Sequence, residues 1–215
     1  MDFVAQILPY LLVGAMTTIE LTILSMALAL VAGLALALMR LSRSPLLRSL
    51  SGAYIEIIRG TPLLVQLFII YYGLPQYGIR LEAFAAGVIG LSINYSAYLA
   101  EVYRAGILAI DKGQWEAGGS IGLSRAALLQ HVIVPQAARI VLPPVGNYFI
   151  SMLKDSALVS TISIVELMRA AQLRVAITFR AMDIYLVTAL IYLLMSYPCS
   201  VLIRYFERRA SRGHA

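Results

Sequence analysis

Charged residues are scarce in this chain. Asp, Glu, Lys and Arg make up 13% of its 215 residues, about half of the ~25% typical of soluble domains and too few to solvate a globular surface. The single cysteine, Cys199, excludes an intrachain disulfide, and its place inside an apolar run gives it the part of a small buried hydrophobe. Two histidines, His131 and His214, cannot build a metal site by themselves. No glycine-rich loop ends in Gly-Lys-Ser/Thr and no Ser-His-Asp grouping stands out, so the sequence holds no phosphate cradle, catalytic set or cofactor site of its own. The opening Met-Asp-Phe lacks the basic stretch of a cleaved signal peptide, which leaves the first apolar run as a membrane anchor.

What fills the chain instead is apolar: 60% of it is hydrophobic. The formal charge of +6 does not point to nucleic acid, because the basic residues fall between oily runs, which is the membrane pattern. A bilayer core needs about 20 apolar residues per helix, and the chain divides on that basis into an all-α membrane protein with five transmembrane helices. Leu11 to Met39 is 29 residues with one charge, Glu20. Gly60 to Ile79 and Ala83 to Ala100 are uncharged. The run from Ile140 meets Lys154 after only 14 residues, so this span is expected to continue through Lys154-Asp155 toward Val165. Ile184 to Ile203 supplies 20 more uncharged residues. No internal repeat, linker or low-complexity tract appears, so residues 1–215 read as a single transmembrane domain, and five spans do not divide into two inverted halves.

Lys and Arg are distributed unevenly over the two sides. Segments 40–59, 101–139 and 204–215 together hold 12, whereas the N-terminus, the turn at Arg80 and the segment 154–183 hold 5. Positive residues accumulate on the cytoplasmic side, which puts the N-terminus outside and the C-terminus, with Arg204, Arg208, Arg209 and Arg212, inside.

Three polar constellations interrupt the apolar runs. At Arg59-Gly60-Thr61-Pro62, glycine and proline flank a threonine and break a helix; Pro62 frees a carbonyl that Thr61 or water must answer. Arg59 either acts there or snorkels to the headgroups. In the third span Asn94, Tyr98 and Glu101, spaced i, i+4, i+7, share a helix face, with Tyr95 and Ser96 beside them. Such a stripe faces protein or water, as a substrate path or as packing between helices, and Glu101 and Arg104 are placed to pair. In the fourth span Asn147, Ser151 and Asp155 form a similar stripe, followed by Ser156. Adjacent helical residues diverge, so Lys154 and Asp155 each need a partner elsewhere, supplied by a zwitterionic substrate or by a structural ion network. Glu20 and Thr17 join that face or satisfy one another.

The longest polar stretch away from the ends runs from 112 to 135. It is too interrupted to span a bilayer and reads as two short helices on the cytoplasmic surface, with Ser124 capping the second and Pro135 ending it. Gly118, Gly119 and Gly122 would let another backbone approach. Glu116-Ala117-Gly118, three residues, Gly122, nine residues, then Val132-Ile133-Val134-Pro135 resembles the Glu-Ala-Ala loop of the permease subunits of bacterial ABC importers. Gly118, Val132 and Val134 depart from its Ala, Ile and Leu but keep small or apolar character. Arg59-Gly60-Thr61-Pro62, Tyr72-Gly73-Leu74-Pro75, Asp111 to Glu116 and Lys154 to Leu158 resemble the polar amino acid branch of that family, which serves histidine, glutamine, glutamate, arginine and cystine.

The resemblance implies a type I ABC importer permease fold in a bacterial inner membrane and a protomer paired with itself or a sister permease. It further implies two ATP-binding subunits below, a periplasmic solute-binding protein above, and alternating access driven through Glu116, Ala117, Gly118, Gly122 and Pro135. The run at 71–78 and the surroundings of Gln172 look most like the cystine and glutamine/glutamate members. A stand-alone transporter or channel driven by an ion gradient through Glu20, Glu101 or Asp155 is the alternative from another class. An intramembrane enzyme lacks a nucleophile and base.

Overall fold

The computed structural model describes residues 2–211, with side chains for 3–205. Arg212 and His214 lie outside the described residues, as do the side chains of Arg208 and Arg209. Helix α1 (Asp2–Arg40) begins nine residues earlier than the charge pattern suggested, because Phe3 to Leu8 is apolar apart from Gln6. Its neighbour is α4 (Ala83–Leu108), the most deeply buried of the spans. The two approach closely where side chains are small. A Cβ on Gly33 would lie 2.9 Å from Leu99 Cβ, and Ser92 donates to the Ser25 carbonyl at 3.1 Å. In lipid, where apolar side chains gain nothing by leaving water, such close packing is what holds helices together.

Helix α2 (Pro45–Gly60) starts with proline in its first turn, where the missing N–H costs nothing. It packs Ser51, Gly52 and Ile55 inward. The chain then turns by 103° before α3 (Leu63–Phe68), which continues as a π turn and a 3-10 turn to Tyr77. The second span is therefore not the uninterrupted Gly60–Ile79. It is a bent pair, because Thr61 is extended (φ −117°, ψ 142°) and Pro62 cannot donate to the Ile58 carbonyl. Four described helices are long and apolar enough to cross a membrane, and the bent pair makes a fifth.

After α4 come α5 (Lys112–Ser120) and α6 (Arg125–Leu128), then a π turn over Leu129–Ile133 and α7 (Val134–Asp155). Ser124 caps α6 as expected, accepting from Ala127 N at 3.2 Å. Pro135 does not end that helix. It sits in the first turn of α7, and the π turn ahead of it absorbs the lost donor, with Val134 N–H reaching back to the Leu129 carbonyl. The fourth span gains its length mainly at this end; beyond Asp155 it tightens into a 3-10 segment (Ser156–Ile162) and stops at Ser163, whose φ is 72°.

The polar segment 166–183 folds as α8 (Leu167–Thr178), and α9 (Ala181–Ser211) carries the last span. Glu166 starts α8: its carboxylate accepts from Met168 N and Arg169 N, both at 2.8 Å, from Tyr192 OH of α9 at 3.0 Å and from Thr18 Oγ1 of α1 at 3.4 Å. One fully buried acid thus ties three helices together. Burial pushes its carboxyl above the ordinary carboxylate range, and the four donors oppose that push.

Candidate functional site

The bend between α2 and α3 opens a cavity of about 480 Å³ against α4 and α7. Its wall contains Arg59, Gly60, Thr61 and Pro62 from the bend, Asn94 and Tyr98 from α4, and Ser151 and Asp155 from α7. Eight residues singled out in three separate stretches of sequence thus share one space. Leu63, Tyr95 and Tyr148 complete it. Tyr148 was not foreseen, since a tyrosine in an apolar run carries no signal of its own. Its ring lies 5.6 Å from that of Tyr98 and 6.2 Å from that of Tyr95, and the Arg59 guanidinium stands 5.3 Å from the Tyr98 ring centre, within cation–π range. Tyr95 donates to Asp155 Oδ2 at 2.7 Å. The cavity is lined by one cation, Arg59, and one anion, Asp155, set on different helices.

The remaining polar positions are sorted by geometry. Glu101 is held by Arg104 at 2.7 Å and borders an adjoining recess of about 510 Å³ that shares Arg59, Tyr98 and Tyr148. Asn147 borders a third, with Tyr148 and Ser151. Lys154 is exposed and does not line the cavity that holds Asp155, because successive helical residues point about 100° apart. Ser156 is buried and donates to the Leu153 carbonyl at 2.8 Å, closing the end of α7 rather than facing the cavity. Glu20 is exposed on α1, and Thr17 donates to the Val13 carbonyl; neither joins the Asp155 face.

Gln66, which the sequence did not flag, completes the bend. It is buried, and its Nε2 lies 2.8 Å from the Ile58 carbonyl, the acceptor that Pro62 leaves open. Thr61 Oγ1, expected at that carbonyl, lies 3.5 Å from it and closer, at 3.0 Å, to the neighbouring Ile57 carbonyl.

Beyond the C-terminal end of α4, the 112–135 segment joins a small core of its own, in which Ile110, Leu128, Ile133 and Ala137 gather Trp115 and Leu123. Helix α5 begins at Asp111, which accepts from Gly113 N at 2.6 Å. It ends in a paired turn: Leu123 N–H bonds the Gly118 carbonyl and Gly122 N–H the Gly119 carbonyl, both at 3.1 Å. That pattern needs a left-handed residue at its corner, and Gly122 has φ 76°. The three glycines therefore differ in role. Gly122 makes the corner, Gly118 lies beneath Leu128, whose Cδ1 would be 2.3 Å from an added Cβ, and Gly119 has nothing within 4 Å. Glu116 and Ala117 are exposed beside it.

Residues 29–212 match the family model of the binding-protein-dependent transport system inner membrane component. The chain belongs to this family. Among its relatives, the L-cystine transport system permease protein TcyB of Bacillus subtilis is 44% identical over 95% of this chain and 88% of its own length. The glutamine transport system permease protein GlnP of Escherichia coli is 39% identical over 94% and 93%. A chain from the crystal structure of an amino acid ABC transporter with histidines superposes with a TM-score of 0.90 at 44% identity, covering 97% of this permease and 99% of that chain. A chain of the inward-facing MetNI methionine ABC transporter, 18% identical, shares the fold with a TM-score of 0.80 over 94% and 97%. The permease is thus a membrane component of an ABC transport system with the type I importer fold, and the stand-alone, ion-coupled reading is left without support.

Proposed function

We propose that this permease passes a polar amino acid across the bacterial inner membrane by alternating access, and that the cavity at the α2–α3 bend is where the amino acid rests. The observation that carries this reading is the pairing of Arg59 and Asp155 in one polar, tyrosine-lined space. An amino acid is a zwitterion: Arg59 matches its carboxylate, and Asp155, held by Tyr95, matches its ammonium group. Asn94, Tyr98 and Ser151 complete the path, with Glu101 and Asn147 at its borders. The cystine and glutamine assignments of the relatives support the same substrate class.

The chain works as one of two permease protomers, with itself or a sister. Segment 112–135 is the coupling loop: Glu116, Ala117 and Gly119 face the cytoplasm, and two separate ATP-binding subunits grip them there, while a periplasmic solute-binding protein delivers the amino acid above. The excess of Lys and Arg on segments 40–59, 101–139 and 204–215 supports this orientation, N-terminus outside and C-terminus inside. The grip can move the spans only if the loop contacts the ATPase differently in its two states.

The test is uptake by the assembled transporter in liposomes. Asp155→Asn and Arg59→Gln, which keep size and polarity but delete the charge, are each expected to lower uptake at least about tenfold, the effect of one lost charge-assisted contact, while assembly and ATP turnover without substrate persist. Undiminished uptake by both variants would sink the cavity assignment.

A further inference from the structure

Gln66 does not line the cavity, but it holds Asn94, which does. Gln66 Nε2 lies within reach of three oxygens: the Ile58 carbonyl at 2.8 Å, the Thr61 carbonyl at 3.2 Å and Thr61 Oγ1 at 2.8 Å. Two of these are carbonyls, which only accept. Were the amide turned round, its own oxygen would face two acceptors in a buried place, at the cost of leaving both unpaired. The nitrogen is therefore fixed on the bend, and Oε1 points to α4, where it accepts from Asn94 Nδ2 at 3.1 Å.

That bond fixes the second amide as well. With Asn94 Nδ2 donating to Gln66, its Oδ1 is turned the other way, and no hydrogen bond among the described residues engages that oxygen. Asn94 lines the cavity. We infer that Gln66 is a positioning residue that turns Asn94 into an acceptor for the ammonium group of the amino acid. Its two jobs are one piece of geometry: the proline that bends the helix leaves a carbonyl, the glutamine that answers it can only accept on its other side, and Asn94 must then present oxygen. Asn94 and Asp155 together give the wall two acceptors, and Arg59 is the one cation among the residues that line it. A site built to accept from a donor rejects an analogue that lacks it. This inference rests on the cavity reading above and goes beyond it by assigning discrimination at the α-position to a side chain outside the wall.

The experiment is equilibrium binding to the purified permease–ATPase complex, without binding protein, of radiolabelled L-arginine, L-glutamine and L-histidine. Each is paired with its 2-hydroxy acid, which keeps the carboxylate and side chain but loses the ammonium group. The readout is the affinity ratio within a pair. Gln66→Met keeps length and volume but lets the Asn94 amide rotate; its ratio is expected to fall about tenfold. Gln66→Glu, protonated in this buried place, donates to the Ile58 carbonyl with one oxygen and accepts from Asn94 with the other, so its ratio is expected to stay near that of the native complex. Asn94→Leu removes the acceptor and leaves Gln66 on the Ile58 carbonyl, so its ratio must fall even if Gln66→Met does not assemble.

A ratio unchanged in Asn94→Leu, or affinities in Gln66→Met that drop equally for both members of a pair, would overturn the inference and leave Gln66 as a brace alone. If the native complex binds none of the three amino acids, the cavity reading itself fails and takes this one with it.

Discussion

Two of the places where the permease abandons continuous helix are stabilised in opposite ways. The bend at Thr61-Pro62 is answered from a distance: Gln66 bonds the Ile58 carbonyl, and Asn94 on α4 bonds Gln66. The turn at Gly122 is answered on the spot, by two backbone hydrogen bonds within six residues and a small local core. One of the bend's two partners, Asn94, also lines the cavity, so a ligand there can reach it. The turn's partners are its own backbone groups. On the function proposed above, this division suits a unit that holds substrate at its middle and is gripped at the 112–135 loop.

The comparison is broken most severely by repairing the bend. Pro62→Ala restores an N–H able to reach the Ile58 carbonyl, and it removes a penalty of about 3 kcal/mol against continuous helix, on the order of a hundredfold in the balance of straight over bent forms. Uptake is expected to fall steeply. Distances between spin labels on α2 and α3 are expected to lengthen, and unchanged distances would show that Gln66 and Asn94 hold the bend without the proline. A change of intermediate size acts on the other region. A side chain at Gly118 meets Leu128 Cδ1 at 2.3 Å, so Gly118→Val should cost about 1–3 kcal/mol by overpacking. It should also loosen the loop, seen as ATP turnover no longer matched by uptake. Leu128→Ala in the same chain should restore much of the match, and failure of that rescue would place the role of Gly118 outside the permease.

The same contrast explains what could be read before the structure. The loop was legible because its determinants are local: a cap at Ser124, and glycines at the spacing that a turn needs. Even there Pro135 misled, because a proline ends a helix or begins one depending on whether the preceding turn has already given up its donor. The cavity was legible only in part. Asn94, Tyr98, Ser151 and Asp155 announce themselves as polar groups in oily helices, and Arg59 to Pro62 as a break, but nothing in their spacing says that α2, α4 and α7 converge. Tyr148 and Gln66 gain their meaning from Tyr98 and Asn94, 50 and 28 residues away. Glu166 was hidden for the same reason: in sequence it opens a polar segment, and only packing shows it buried among donors from α1 and α9.

The smallest expected effect sharpens the comparison most, because it separates backbone from surface at one position. Nothing lies within 4 Å of a Cβ built on Gly122, so a side chain there meets no steric obstacle within the chain; the obstacle is φ 76°. A left-handed conformation costs an ordinary L-residue about 1–2 kcal/mol, and asparagine less. If the turn matters only as a turn, Gly122→Asn should keep uptake near native, and Gly122→Leu should remain folded and inserted while hydrolysing ATP with reduced uptake. If Gly122 instead leaves room for the ATPase to approach, asparagine and leucine should both uncouple, since each fills the same open space. Equal uncoupling by the two would move the role of Gly122 from the inside of the loop to its outer surface, the side on which Glu116, Ala117 and Gly119 already stand exposed.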